Sequence, residues 1–201
     1  MPPPCDGAVN TPGLGRLWAG WRGEYIVAAS AEEQRDAVQG IAAEAGERCV
    51  FCRILASGMP DEDTHVLRRG TQVMAILNAY PYSSGHLMVI PYRHVGDVES
   101  LTDDEHTELW AFVTQSVRAL KTVYSPEGIN LGANLGRAAG AGVPGHLHLH
   151  VVPRWNGDTN FMPVFGETKV ISQSLEALYD LVKGPLDLIM TDYSDILPRR
   201  G

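Results

Sequence analysis

The chain has 201 residues, 44% hydrophobic and 20% charged, which bounds it to one globular domain, or one domain with terminal extensions, and excludes a disordered chain. Its formal net charge of −8 argues against non-specific nucleic-acid binding, while leaving room for a small anion held by backbone N–H groups and a few local cations. No run approaches the roughly 18 apolar residues of a membrane span, and the opening MPPPCDGAVN has neither the cationic start nor the apolar run of a secretory signal. With three cysteines, too few and too odd in number for a disulfide framework, the expected location is the cytoplasm.

Residues 1–30 read as an N-terminal extension: a Pro- and Gly-rich leader, then an aromatic stretch with Trp18, Trp21 and Tyr25. The body is expected over residues 31–183, beginning with a helix from about Ala31 to Glu47, a run rich in Ala, Glu and Gln. β-rich runs follow at Thr64–Arg68, Gln72–Asn78 and His86–Pro91, with a turn cluster, Tyr80-Pro-Tyr-Ser-Ser-Gly85, between the last two. The clearest helix starts after Thr102, an N-cap with Glu105 three residues on as in a capping box. Leu109, Phe112, Val113, Val117, Leu120 and Val123 recur at helical spacing and carry it to about Tyr124. Strands are expected near Ile129–Asn134 and Leu147–Pro153, separated by the Gly- and Ala-rich Gly136–Gly145. A last helix from about Ser172 to Lys183 leads into a polar tail, residues 184–201. Three strands, a long helix and two strands predict an α+β domain: an antiparallel sheet of about five strands with helices packed on one face.

The chemistry sits in His146-Leu-His148-Leu-His150-Val-Val. Strand side chains alternate between faces, so the three imidazoles share one face and the leucines and Val151 the other. Burying three adjacent rings without partners would cost roughly 1–3 kcal/mol per unsatisfied group, so a cleft wall is the cheaper arrangement. A neutral imidazole can attack phosphorus if its second nitrogen donates to a fixed acceptor, often a backbone carbonyl. The same spacing also suits a metal site, or neither role, and spacing alone does not decide.

The run, followed by Pro153-Arg154, resembles the signature of the histidine-triad (HIT) family. The likeness extends through Ala75-Ile-Leu-Asn78, Gly85-His86-Leu-Met-Val-Ile-Pro91, Leu101-Thr-Asp-Asp104 and Asn134-Leu-Gly136, covering about Cys49 to Phe161. The resemblance implies a covalent nucleotidyl-histidine intermediate on His148 and phosphate contact from His150. It also implies ribose contact from Asn78, phosphate contact from Asn134, and backbone N–H groups near the phosphates from the Gly136–Gly145 loop, Gly136 and Gly142 among them. Many members carry Ser or Thr just before the first histidine; here the stretch is Gly142-Val143-Pro144-Gly145, without a hydroxyl.

Cys49-Val-Phe-Cys52 has ligand spacing, but by itself it reads equally as core. Within the resemblance, such a pair is completed to a structural zinc site by His94 and His146. His65 and His106 are expected at the surface, and His86 is expected to brace the sheet behind the triad strand. The N-terminal Leu17-Trp18, Leu77-Asn78-Ala-Tyr80-Pro-Tyr82, Gly85-His-Leu-Met-Val, and Val152-Pro-Arg-Trp155-Asn-Gly-Asp158-Thr-Asn160-Phe161 resemble the actinobacterial-type diadenosine tetraphosphate phosphorylases within the family. That implies transfer of an adenylyl group to inorganic phosphate, or to water in a hydrolase, with Arg137 and Arg154 as candidate phosphate-binding cations. A nucleoside phosphoramidate or adenylylated-metabolite hydrolase is the alternative enzyme, and a zinc-stabilised nucleotide-binding protein the non-enzymatic one. The family further implies a homodimer.

Overall fold

The computed structural model describes residues 49–158 and 173–194. The N-terminal extension and the helix expected over Ala31–Glu47 lie outside them. In chain order the elements are α1 (Val50–Ala56), α2 (Asp61–Thr64), β1 (Val66–Arg69), β2 (Val73–Leu77), β3 (Leu87–Pro91), α3 (Asp103–Tyr124), β4 (Gly128–Gly132), β5 (Leu149–Arg154) and α4 (Leu175–Ser194). The strands form one antiparallel sheet in the order β1-β2-β3-β5-β4. The α+β class and the five-strand sheet follow the sequence expectation.

The pleat sorts side chains into two layers. Ala75 and Leu77 of β2, Leu87 and Val89 of β3, and Leu149 and Val151 of β5 face α3 and α4 in the main core. Met74, Ile76, Met88 and Ile90 point the other way, where they meet Cys49 and Phe51 at the start of α1. Both faces of β2 and β3 are therefore buried, which is why these strands read as continuous apolar runs. The long helices occupy one face, as expected; the short α1 covers the opposite face, which the sequence reading had assigned no helix.

Helix α3 begins with the capping box expected at Thr102. The Glu105 amide donates to Thr102 Oγ1 at 3.2 Å, and the Thr102 amide donates to Glu105 Oε2 at 2.8 Å. Glu105 also receives Arg93 in a two-pronged ion pair at 3.0 and 2.7 Å. That hydrogen bonding, chiefly from the Arg93 guanidinium, holds the buried carboxyl down at about 2. The pair ties the Pro91–His94 segment to the helix N-terminus.

The last helix runs on past Lys183 to Ser194. Gly184 and Pro185 mark a stop in the sequence, and Pro185 does withhold an N–H from the ladder. Leu178, Val182, Leu186 and Met190 nevertheless repeat every four residues and are all buried against the core, so packing carries the helix through. No helix among the described residues is long and apolar enough to cross a membrane.

Candidate active site

The three histidines enter the sheet on the face opposite the main core. Leu147 donates its amide to the Val95 carbonyl at 2.6 Å, drawing the chain into extended form before β5 begins at Leu149. This approach needs Gly96: a Cβ there would stand 2.7 Å from the Pro144 carbonyl oxygen. His146 and His148 are buried, at 0% and 6% exposure, and His150 is half-buried. The edge of Phe51 on α1 packs 5.4 Å from the His146 ring, with His148 at 5.5 Å.

Hydrogen bonds assign different tautomers to neighbouring rings. His148 Nδ1 lies 2.8 Å from the carbonyl oxygen of His146, an acceptor only, so Nδ1 carries the proton and Nε2 the lone pair. His150 is set the other way. The Tyr82 amide donates to His86 Nδ1 at 3.0 Å, so neutral His86 is protonated at Nε2. That Nε2 donates to His150 Nδ1 at 2.9 Å, which leaves neutral His150 protonated at its own Nε2. The Tyr82 ring covers His86 at 4.6 Å. His86, expected only to brace the sheet, therefore orients His150; its place eight residues after Asn78, at the foot of the turn, was the available signal.

Both rings line one cleft. Its walls are α1 (Phe51, Ile54), the ends of β2 and β3 (Ile76, Leu77, Met88), and the loop residues Gly142 and Val143. Asn78 and Tyr80 lie at the same opening. The Asn78 side chain accepts the Tyr80 amide at 2.9 Å, stabilising the turn. Asn134 and Gly136 are not among the lining residues; the Asn134 amide group donates across the loop to the Gly140 carbonyl at 3.4 Å. Gly140, at φ 86°, makes the left-handed turn that closes this loop. Neither candidate cation lines the cleft. Arg154 is bound to Asp158 through two nitrogens and to Asn130 at 2.9 Å, and Arg137 lies in the exposed turn before Gly140.

A second cluster shares His146. Ligand atoms of Cys49, Cys52, His94 and His146 all lie within 4.8 Å of one another. Cys49 Sγ is 3.2 Å and Cys52 Sγ 3.5 Å from His146 Nδ1, and Cys52 Sγ is 3.3 Å from His94 Nδ1. A tetrahedral ion with bonds of roughly 2.0–2.3 Å requires ligand separations of roughly 3.3–3.8 Å, so the donors fit. His146 Nε2 donates to the Pro91 carbonyl at 2.8 Å, leaving Nδ1 unprotonated toward the thiols. Burial holds the His146 imidazole down to about 4, and burial with the adjacent Cys49 pushes the Cys52 thiol up to about 11. Without a cation the His146 ring is thus neutral and the Cys52 thiol protonated, and a divalent ion would have to displace that thiol proton to bind. The cysteines sit at the start of α1, an element too short to announce itself in the sequence.

Comparison with known proteins agrees with this geometry. The HIT domain model matches residues 60–157. The AP-4-A phosphorylase of Mycobacterium tuberculosis is 46% identical over 162 residues, covering 81% of this chain and 79% of that protein. A Zn-bound histidine triad family protein from Mycobacterium smegmatis superposes with a TM-score of 0.59 at 27% identity, over 73% of this chain and 99% of that one. A histidine triad nucleotide-binding protein of Sulfolobus tokodaii gives 0.60 at 28% identity, over 73% of this chain and 97% of that one.

The opposed tautomers can be read directly. At a pH where both rings are neutral, 15N-edited NMR should show His148 protonated at Nδ1 and His150 at Nε2. Finding the same tautomer on both would refute the network as described.

Proposed function

The chain belongs to the histidine-triad family, and from that premise we propose a nucleotidyl transferase that splits dinucleoside polyphosphates of the diadenosine tetraphosphate kind, with inorganic phosphate as acceptor. The observation that carries this reading is the pair of opposed imidazoles in one cleft, one presenting a lone pair and the other an N–H. His148 Nε2 attacks an adenylyl phosphorus; a P–N bond forms and the P–O bond to the leaving ATP breaks. His150 Nε2–H donates to a phosphoryl oxygen as its charge grows, and we assign the place of the absent hydroxyl to the backbone of Gly142 and Val143, which line the cleft. A phosphate oxygen then attacks the same phosphorus, the P–N bond breaks, ADP leaves and His148 regains its lone pair. In this reading Asn78, which lines the cleft, holds the ribose, and Asn134, bonded to the Gly140 carbonyl, supports the loop beside it.

The likeness to the mycobacterial phosphorylase over most of both chains favours phosphate over water as acceptor. Incubation with diadenosine tetraphosphate, with and without inorganic phosphate, separates the two by chromatography. ADP and ATP formed only with phosphate are expected; AMP and ATP regardless of phosphate would make the chain a hydrolase. His148→Asn should retain nucleotide binding and lose turnover by at least about a thousandfold, as for loss of a nucleophile. Turnover within tenfold of the parent would overturn the assignment.

The Cys49, Cys52, His94 and His146 cluster is proposed to hold structural zinc, which would fill four protein ligands and leave no open position for substrate. The thiols suit a reducing compartment, in keeping with a cytoplasmic protein. Metal analysis should find about one zinc per chain, lost in a Cys49→Ser/Cys52→Ser variant; purified protein without metal would discard the site.

A homodimer is proposed on the exposed edge of β4, where Leu131 is 48% exposed and the strand has β5 as its one neighbour among the described residues. Sedimentation should give twice the chain mass, and Leu131→Lys should shift it toward the monomer. A parent chain that sediments as a monomer at micromolar concentration would exclude it.

A further inference from the structure

We infer that His65 reads the polar edge of the nucleobase and so sets base selectivity at the far end of the cleft from the phosphate-handling imidazoles. The inference rests on the nucleotide reading above. His65 was expected at the surface; instead it lines the same cleft as His148 and His150. Its Nε2 is buried and makes no hydrogen bond among the described residues. A buried polar atom left without a partner is costly, and on a residue that lines a ligand cleft it is explained if the ligand supplies the partner.

Sheet register gives the distance. Val66, Ile76, Met88 and His150 form one transverse row across β1, β2, β3 and β5. His65 stands one residue from that row, its carbonyl accepting the Leu77 amide at 3.0 Å. Three strand steps of 4.7–4.9 Å separate its backbone from that of His150, about 14 Å in all. That is on the scale of an extended purine nucleoside monophosphate. Between the two histidines the lining is apolar, with Phe51, Ile54, Ile76, Leu77 and Met88, a surface for the faces of a flat ring. Such a surface holds a base without telling its polar edge from a hydrocarbon of the same shape.

The other polar groups at that end are engaged. The Thr64 hydroxyl is bonded to the Pro60 and Asp61 carbonyls, and Asn78 Oδ1 to the Tyr80 amide. His65 caps α2 in the left-handed conformation, at φ 60° and ψ 26°, with its amide donating to the Asp61 carbonyl. Glycine or asparagine fits that turn more cheaply, so the imidazole supplies something the turn does not require. Tyr179 of α4 packs edge-on to the ring at 6.4 Å and fixes its plane. A neutral imidazole meets the adenine edge in either tautomer, accepting from the exocyclic amine or donating to a ring nitrogen.

Calorimetric binding of AMP and of benzimidazole riboside 5′-monophosphate provides the test. The second probe has the same shape but no polar atom on its six-membered ring. The parent protein should prefer AMP by about tenfold, the worth of one hydrogen bond to a buried group. His65→Leu and His65→Asn should reduce that preference to less than about threefold. Asparagine tolerates the left-handed turn but is too short to reach the base, so it covers the case in which leucine destabilises the fold. A preference that persists in both variants, or is absent from the parent, would overturn the role of His65. Failure of the parent to bind either probe would instead overturn the nucleotide reading, and this inference with it.

Discussion

The hydrogen bond from His148 Nδ1 to the carbonyl of His146 is the contact on which the rest of the site depends. Imidazole offers its lone pair from whichever nitrogen is not protonated, and the preference between nitrogens is weak in water. Fixing it takes an acceptor that cannot itself donate, held at the right place. A backbone carbonyl meets the first condition. The second is met by His146, whose ring is buried, hydrogen-bonded to Pro91 at one nitrogen, and turned to the thiols at the other. The cysteine–histidine cluster and the His148 imidazole are thus joined through one peptide unit. A cation in the cluster would stiffen the acceptor while remaining outside the cleft chemistry.

Strand alternation places three imidazoles on one face but says nothing about their protons. That information comes from elements distant in sequence. The Tyr82 amide, in the turn after β2, fixes His86; His86 fixes His150. Ser83 anchors the same turn by donating to the Pro153 carbonyl at 2.6 Å, so the turn is tied to the strand whose histidine it orients. Two adjacent same-face residues can carry opposite roles because one is polarised from its own strand and the other from a neighbouring turn.

What the sequence made legible follows the same division. Long periodic elements and capping chemistry are local, so α3, its capping box and the five strands could be read in order. The shared face of His146, His148 and His150 needed only the two-residue period. The roles of His86 and His65 depend on which strands become neighbours, and β3 pairing with β5 is a choice made by the whole sheet. Arg154 follows two conspicuous strand positions and looks available for phosphate, yet Asp158 four residues on takes its guanidinium. The continuation of α4 through Pro185 shows packing of one apolar stripe overriding a local stop. Helix α1 has only 7 residues and no side-chain cap, and it holds its place through Phe51 and the thiols rather than through propensity.

The composition of the cleft bears on how such an acidic chain could handle a polyanion. Among the described residues no lysine or arginine lines it, and its polar lining includes the imidazoles of His148 and His150. Cations would bind every phosphate of a substrate and of its products alike, and uniform attraction of that kind strengthens binding without lowering the barrier. Neutral donors act over hydrogen-bond distance and angle. They therefore favour the phosphorus that lies opposite His148, and favour it most when charge has built up on its oxygens. Affinity must then come from elsewhere, and the apolar wall from Phe51 to Met88 is the surface able to supply it. Under the proposed function, the base end of the cleft would then decide what binds, and the two opposed imidazoles where it is cut.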